Sequence, residues 1–247
     1  GNRPVIFSAH GVPKSVPDEA RSKNLSYVDA TCPLVSKVHR ESEQLNKNGY
    51  KIFLIGHKNH PEVIGTMGQL PKDSIKLVET VGDVKNLSFS KPVAYVTQTT
   101  LSVDDTKVVI EALKKRFPMI QGPDVKDICY ATQNRQSAVR DLVDHVNLIL
   151  VVGAKNSSNS NRLRDLGEES GVDTYLIETA DDLDSSWFNN VDSIGISSGA
   201  STPDELVKEV IKRISSFREI KIEKRPGIEE NIVFKLPKEL TNIDVVN

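Results

Sequence analysis

The stretch Leu148-Ile149-Leu150-Val151-Val152-Gly153-Ala154-Lys155-Asn156-Ser157-Ser158-Asn159-Ser160-Asn161-Arg162-Leu163 decides how this chain folds. Five aliphatic residues in a row, ended by a glycine, read as a β-strand bounded by a turn residue. A helix-like pattern runs from Ser158 to Ser170 behind it. One side chain is enough to cap that helix. Lys155 to Asn161 carry more hydroxyls and amides than a cap requires, at a strand-to-helix junction where backbone N–H groups gather. Such a segment reads as a neutral cradle for a phosphate-type anion.

Working outward, the same unit recurs. Ser8-Ala9-His10-Gly11-Val12, Gly56-His57-Lys58-Asn59-His60-Pro61-Glu62, Thr97-Gln98-Thr99-Thr100 and Ser197-Ser198-Gly199-Ala200-Ser201 each follow an apolar, β-like run and precede a helix-like one. Strands are expected at Val5–Ala9, Lys51–Gly56, Ile75–Val78, Val93–Thr97, Leu148–Gly153, Thr174–Ile177 and Ser193–Ser197. Amphipathic helices are expected at Pro33–Asn48, Ser102–Phe117, Thr132–His145, Ser158–Ser170 and Pro203–Phe217, with a further helix opening at Pro61. Alternating strands and helices imply parallel sheets with right-handed crossovers, whose ligands bind beyond the carboxyl ends of the strands. The units recur about every forty to fifty residues, roughly one βαβ unit plus a spacer strand. That interval favours several small lobes around a shared centre over one long sheet.

Composition removes some functions. With 247 residues the chain can bury a sizeable core, and its net charge of −2 makes no electrostatic case for nucleic acid. No apolar run approaches the ~20 residues that span a bilayer. GxxxxGK[ST] and GxGxxG are both absent, which leaves out a P-loop and a dinucleotide fingerprint.

Two cysteines stand in comparable surroundings, Asp29-Ala30-Thr31-Cys32-Pro33 and Asp127-Ile128-Cys129-Tyr130. A helix N-terminus favours the thiolate, the metal-binding form, so one reading makes them metal ligands. The other makes them buried, inert side chains. Neither CxxC nor HxxxH spacing decides between the two, and two thiolates alone complete neither a zinc site nor an iron–sulfur cluster. His57, His60 and Glu62 share one loop: a histidine there can donate to phosphate, and a semi-buried carboxyl can deliver protons. The plainer reading is a packed ring, a solvated ring and a helix-dipole acid.

Together these segments, with Gly65-Thr66-Met67-Gly68-Gln69, Leu101-Ser102, Ala131-Thr132 and the tail from Glu229-Glu230-Asn231-Ile232-Val233-Phe234 to Pro237, resemble the 4-hydroxy-3-methylbut-2-enyl diphosphate reductases over essentially the whole chain. That resemblance implies an oxidoreductase closing the methylerythritol phosphate route to isoprenoids. It implies three α/β lobes in a pseudo-threefold, cloverleaf arrangement around a [4Fe–4S] cluster, the first lobe incomplete. The lobes would be 1–31, 32–127 and 128–217, with a tail at 218–247 packing back on the first. Cys32 and Cys129 would be cluster ligands, while His10, His60, Ser157, Ser158, Asn159 and Ser201 would hold the diphosphate. Glu62 would be the proton donor, and Thr99 would orient the substrate hydroxyl. The implied partners are the allylic diphosphate and an external one-electron donor such as ferredoxin or flavodoxin, in the cytoplasm or a plastid stroma. Neither nucleic acid nor a membrane is implied.

The family's first cluster cysteine and a further diphosphate-binding histidine precede the abrupt opening at Gly1-Asn2-Arg3-Pro4. The expectation is therefore an N-terminally truncated reductase, inactive or nearly so by itself. The rivals are a non-redox diphosphate binder and a degenerate, non-catalytic interaction domain.

Overall fold

The computed structural model describes residues 3–89, 92–237 and 240. The opening residues Gly1 and Asn2 and most of the last ten residues of the expected tail lie outside that description. The expected α/β class holds, as three separate parallel sheets. By contact density the chain divides into Gly1–Ile128 with Asn231–Asn247, and Cys129–Glu230.

In the first unit, β1 (Val5–Phe7) pairs with β2 (Tyr27–Asp29), joined through α1 (Ser15–Ser22). The three-residue β2 has no strand period to read in the sequence. Helix α2 (Pro33–Lys47) leads to β3 (Lys51–Ile55), then α3 (Pro61–Met67), β4 (Ile75–Val78), α4 (Val81–Lys85), β5 (Val93–Thr97) and α5 (Val103–Arg116). The second sheet runs β4-β3-β5, so β3 is central. Its alternate residues feed two cores. Phe53, Ile55 and Tyr95 pack with Leu113 and Ile128, while Ile52, Leu54 and Val96 pack with Val38 and Val63.

The second unit repeats the plan. It consists of α6 (Tyr130–Leu142), β6 (Leu148–Val152), α7 (Ser158–Glu169), β7 (Asp173–Ile177), β8 (Ile194–Ser198) and α8 (Asp204–Ser215), with sheet order β7-β6-β8. All five residues of β6 are buried: Leu148, Leu150 and Val152 face one core and Ile149 and Val151 the other. The run that opened the sequence argument is thus the central strand of its sheet. Beyond α8 the chain has no regular element up to Pro237. Arg218 donates to the Val191 carbonyl and Arg225 pairs with Asp141, so this part of the tail is tied to the second unit.

The two three-stranded sheets also share their loop wiring. Gly56 and Gly153 each donate their N–H to the last residue of the neighbouring strand, Val78 and Ile177. The Glu79 carboxylate accepts the Lys58 N–H at 2.6 Å, and Glu178 accepts the Lys155 N–H at 2.9 Å. Each glutamate opens a Glu-Thr-x-x-Asp turn whose aspartate, Asp83 or Asp182, accepts the N–H groups of that Glu and Thr. Gly56-His57-Lys58-Asn59-His60-Pro61-Glu62 therefore occupies the same frame as Gly153-Ala154-Lys155-Asn156-Ser157-Ser158-Asn159.

Candidate active site

In the first unit the structure brings His10, His60, Glu62 and Thr99 together. His60 is the N-cap of α3, and its Nδ1 accepts the Glu62 N–H at 3.2 Å. With Nδ1 accepting, the neutral ring carries its proton on Nε2, where it can donate to an anion. Neutrality is enforced: burial, then the charges of His10 and His57, push the His60 pKa down to about 4. The rings of His10 and His60 lie edge to face, 5.5 Å apart. The backbone allows this approach because Gly65 on α3 has no side chain. A Cβ there would sit 2.9 Å from the Gly11 carbonyl oxygen.

Glu62 is only 2% exposed. Its Oε1 accepts the Thr99 N–H at 2.7 Å and its Oε2 the Thr99 hydroxyl at 2.9 Å. Burial raises its pKa to about 7; the two Thr99 hydrogen bonds oppose that rise and the charge of Asp127 adds to it. A carboxyl that keeps its proton near neutrality is suited to general-acid work. Gln98, 1% exposed, accepts the His57 N–H and donates to the Thr100 hydroxyl, joining the His57 loop to the Thr99 loop. The sequence reading passed over Gln98 as one more polar loop residue. It also passed over Glu79 and Glu178, although the repeated Glu-Thr-x-x-Asp spacing is visible in the sequence.

In the second unit Ser157 caps α7, its hydroxyl accepting the Ser160 N–H at 3.2 Å. Asn161 is used structurally, donating to the carbonyls of Lys155 and Ser157. Asn159 is different. It is 4% exposed, and among the described residues neither atom of its amide has a partner. Buried amides are almost always satisfied, so an orphan one marks a place made for something else. Ser158 lies beside it in the first turn of α7. Ser201 follows β8 on a turn held to β6, with Gly199 N–H and the Thr202 hydroxyl both donating to the Val152 carbonyl. Glycine is needed at 153 and 199, where a Cβ would meet the Ser160 hydroxyl.

The cysteines are positioned alike. Cys32 is the N-cap of α2 with φ −55° and ψ 134°, and Cys129 is the N-cap of α6 with φ −54° and ψ 134°. Both are partly exposed and neither is in a disulfide. Soft sulfur donors suit an iron–sulfur cluster, so the donor chemistry fits that group. Two thiolates are two of the ligands such a cluster takes. Among the described residues, no group of three or more His, Cys, Asp or Glu forms a metal site.

The sequence pattern of the family described as LytB protein matches residues 2–215. The chain belongs to the LytB family. The 4-hydroxy-3-methylbut-2-enyl diphosphate reductase of Beijerinckia indica is 52% identical over 242 residues, 97% of this chain and 76% of that protein. That of Acinetobacter baylyi is 54% identical over 241 residues, with 96% and 76% covered. Among solved structures, the E-1-hydroxy-2-methyl-but-2-enyl-4-diphosphate reductase of Plasmodium falciparum superposes with a TM-score of 0.89 at 39% identity, over 95% of this chain and 74% of that one. A further (E)-4-hydroxy-3-methyl-but-2-enyl diphosphate reductase, described as the terminal enzyme of the non-mevalonate pathway, gives 0.60 at 39% identity, over 86% and 76%. Like the sequence, the structure of this LytB chain has no helix, among the described residues, long and apolar enough to cross a membrane.

Proposed function

We propose that this chain is a 4-hydroxy-3-methylbut-2-enyl diphosphate reductase, and that Glu62 is its proton donor. In the reaction the allylic diphosphate takes up two electrons and two protons. Its C–O bond breaks, the oxygen leaves as water, and a C–H bond forms to give isopentenyl or dimethylallyl diphosphate. Cys32 and Cys129 would be two of the ligands of a [4Fe–4S] cluster, which when bound would supply the electrons singly and Lewis-acid polarisation of the hydroxyl. A ferredoxin- or flavodoxin-type donor in the cytoplasm or plastid stroma replenishes them. The division into lobes at 1–31, 32–127 and 128–217, with a tail at 218–247, belongs to this proposal.

The protein's own contribution is to grip the diphosphate and meter the proton. His60 offers Nε2–H as a neutral donor, and His10 stands beside it. Ser157, Ser158, Asn159 and Ser201 add hydroxyl and amide donors, and the orphan amide of Asn159 gains the partners it lacks. Glu62 protonates the leaving oxygen, while the Thr99 hydroxyl fixes the carboxyl plane and orients the substrate hydroxyl.

One observation carries the proposal: a carboxyl only 2% exposed, protonated up to about pH 7 and gripped by a threonine, on a residue whose N–H is held by His60. The substrate should raise the melting temperature of the chain. With two cysteines to hold a cluster, protein loaded anaerobically with iron and sulfide and given a reduced viologen should form the two products only slowly. Glu62→Gln should keep the thermal protection while turnover falls by about 100- to 10,000-fold. Protection absent in the parent chain, or turnover unchanged in the variant, overturns it.

A further inference from the structure

Asp127 is a buried charge that the proposed chemistry leaves unused. Its side chain is 0% exposed, yet it pairs with Lys37 Nζ at 2.9 Å, and its other oxygen accepts the Thr97 N–H at 3.4 Å. Lys37 lies on α2, the helix that Cys32 opens, and Thr97 ends β5 two residues before Thr99. Asp127 stands two residues before Cys129. The residue between them, Ile128, is sunk in the core with Phe53 and Tyr95, and its N–H is held by the Val125 carbonyl. The backbone running into Cys129 is therefore fastened twice, by an apolar side chain and by a carboxylate. For stability alone an apolar residue would serve as well as a carboxylate, because a buried ion pair repays its desolvation poorly. What the carboxylate adds is direction: it can be satisfied only where the Lys37 ammonium and the Thr97 N–H both reach it.

We propose that Lys37 and Asp127 are positioning residues for the Cys129 thiolate, fixing the backbone that presents it. This deepens the reductase reading, since it takes Cys129 as a cluster ligand. Lys37 is half exposed, so its replacement leaves the core intact. It leaves Asp127 buried without its cation, a state relieved by local opening of the segment that leads into Cys129.

The test needs no cluster. In the reduced, metal-free chain, modification of Cys32 and Cys129 by a disulfide reagent is followed separately by peptide mass mapping. Lys37→Met should speed modification of Cys129 by at least about threefold and leave Cys32 at the parent rate, with the melting temperature little changed. Lys37→Arg should restore the parent rate at Cys129. Loss of a cation by itself slows a thiol by lowering its thiolate fraction, so acceleration reports opening and not electrostatics. Unchanged or slower modification of Cys129 overturns the proposal, as does equal acceleration of both cysteines with a fallen melting temperature. Iron content of the loaded parent chain tests the ligand reading of Cys129 separately, because Lys37 is untouched in that measurement.

Discussion

Thr99 grips Glu62 through both of its polar groups, the N–H on one carboxyl oxygen and the hydroxyl on the other. Each bond favours the charged carboxylate, yet the acid still titrates near 7, because burial outweighs them. The site holds an acid whose proton is available at the pH of a cell, and the balance can be tipped from either side.

The first consequence is for stability. The carboxyl of Glu62 is raised in the fold from its ordinary 4.5 to about 7. Below pH 4.5 it is protonated folded or unfolded and costs nothing. Between pH 4.5 and 7 the unfolded chain ionises while the folded chain must hold its proton, so stability falls across that window and levels off above 7. Glu62→Gln never charges, so its advantage over the parent should grow from about 1 kcal/mol at pH 5 to about 3 kcal/mol at pH 8. Urea unfolding at the two pH values measures it; an advantage that does not change with pH refutes the burial account.

Removing the hydroxyl tips the balance the other way. Thr99→Val deletes one bond to the carboxylate and keeps the N–H bond. A hydrogen bond to a charged group is worth about 1.5 to 3 kcal/mol, so the pH at which Glu62 ionises should rise by about one unit or more. Infrared titration of the protonated carboxyl band reads this directly. A midpoint that stays or falls contradicts the assignment.

Asn159 offers a trade between stability and binding. Its orphan amide is a standing cost that a ligand would relieve. Asn159→Leu, of similar volume, should stabilise the unliganded chain by about 1 kcal/mol and weaken the thermal protection given by inorganic diphosphate. If protection survives at full size, Asn159 is no part of the anion site.

Close approach of α3 to the Gly11 backbone is the fourth test. Gly65→Ala places a methyl 2.9 Å from the Gly11 carbonyl oxygen, backbone that cannot swing aside. The variant should lose about 1 to 3 kcal/mol and bind diphosphate more weakly, because the His10–His60 spacing of 5.5 Å depends on that contact. Unaltered melting and binding would show that the helix has room to move.

Much of this was legible in the residue order. The apolar runs at 52–55, 93–96 and 148–152 read as strands, and they are buried strands of parallel sheets. The Lys155–Asn161 loop stands out because its polar groups exceed what a cap uses, and the His57–Glu62 loop because two imidazoles and a carboxyl share it. What escaped has short-range causes. β2 is three residues long, and α1 carries Pro17 in its first turn, so neither has a period to read. Asp127 looked like a residue beside a cysteine. Its partner lies ninety residues away, a pairing that no local pattern encodes. Nor could Asn161 be told from Asn159 by type: one holds carbonyls and the other, among the described residues, holds nothing, and only the fold separates them.

The wiring shared by the two three-stranded sheets is a built-in control. Where both halves spend the same residues, as at Lys58 and Lys155 or Glu79 and Glu178, those residues are scaffold, for the same hydrogen bonds recur in both. Where they part company, chemistry has been written in. Glu62 and Asn159 sit at matching places, and only the first can give up a proton. The twin frames thus carry a carboxyl at one of two matching positions and an amide at the other, and exchanging the two side chains would ask whether the frame or the letter sets the task.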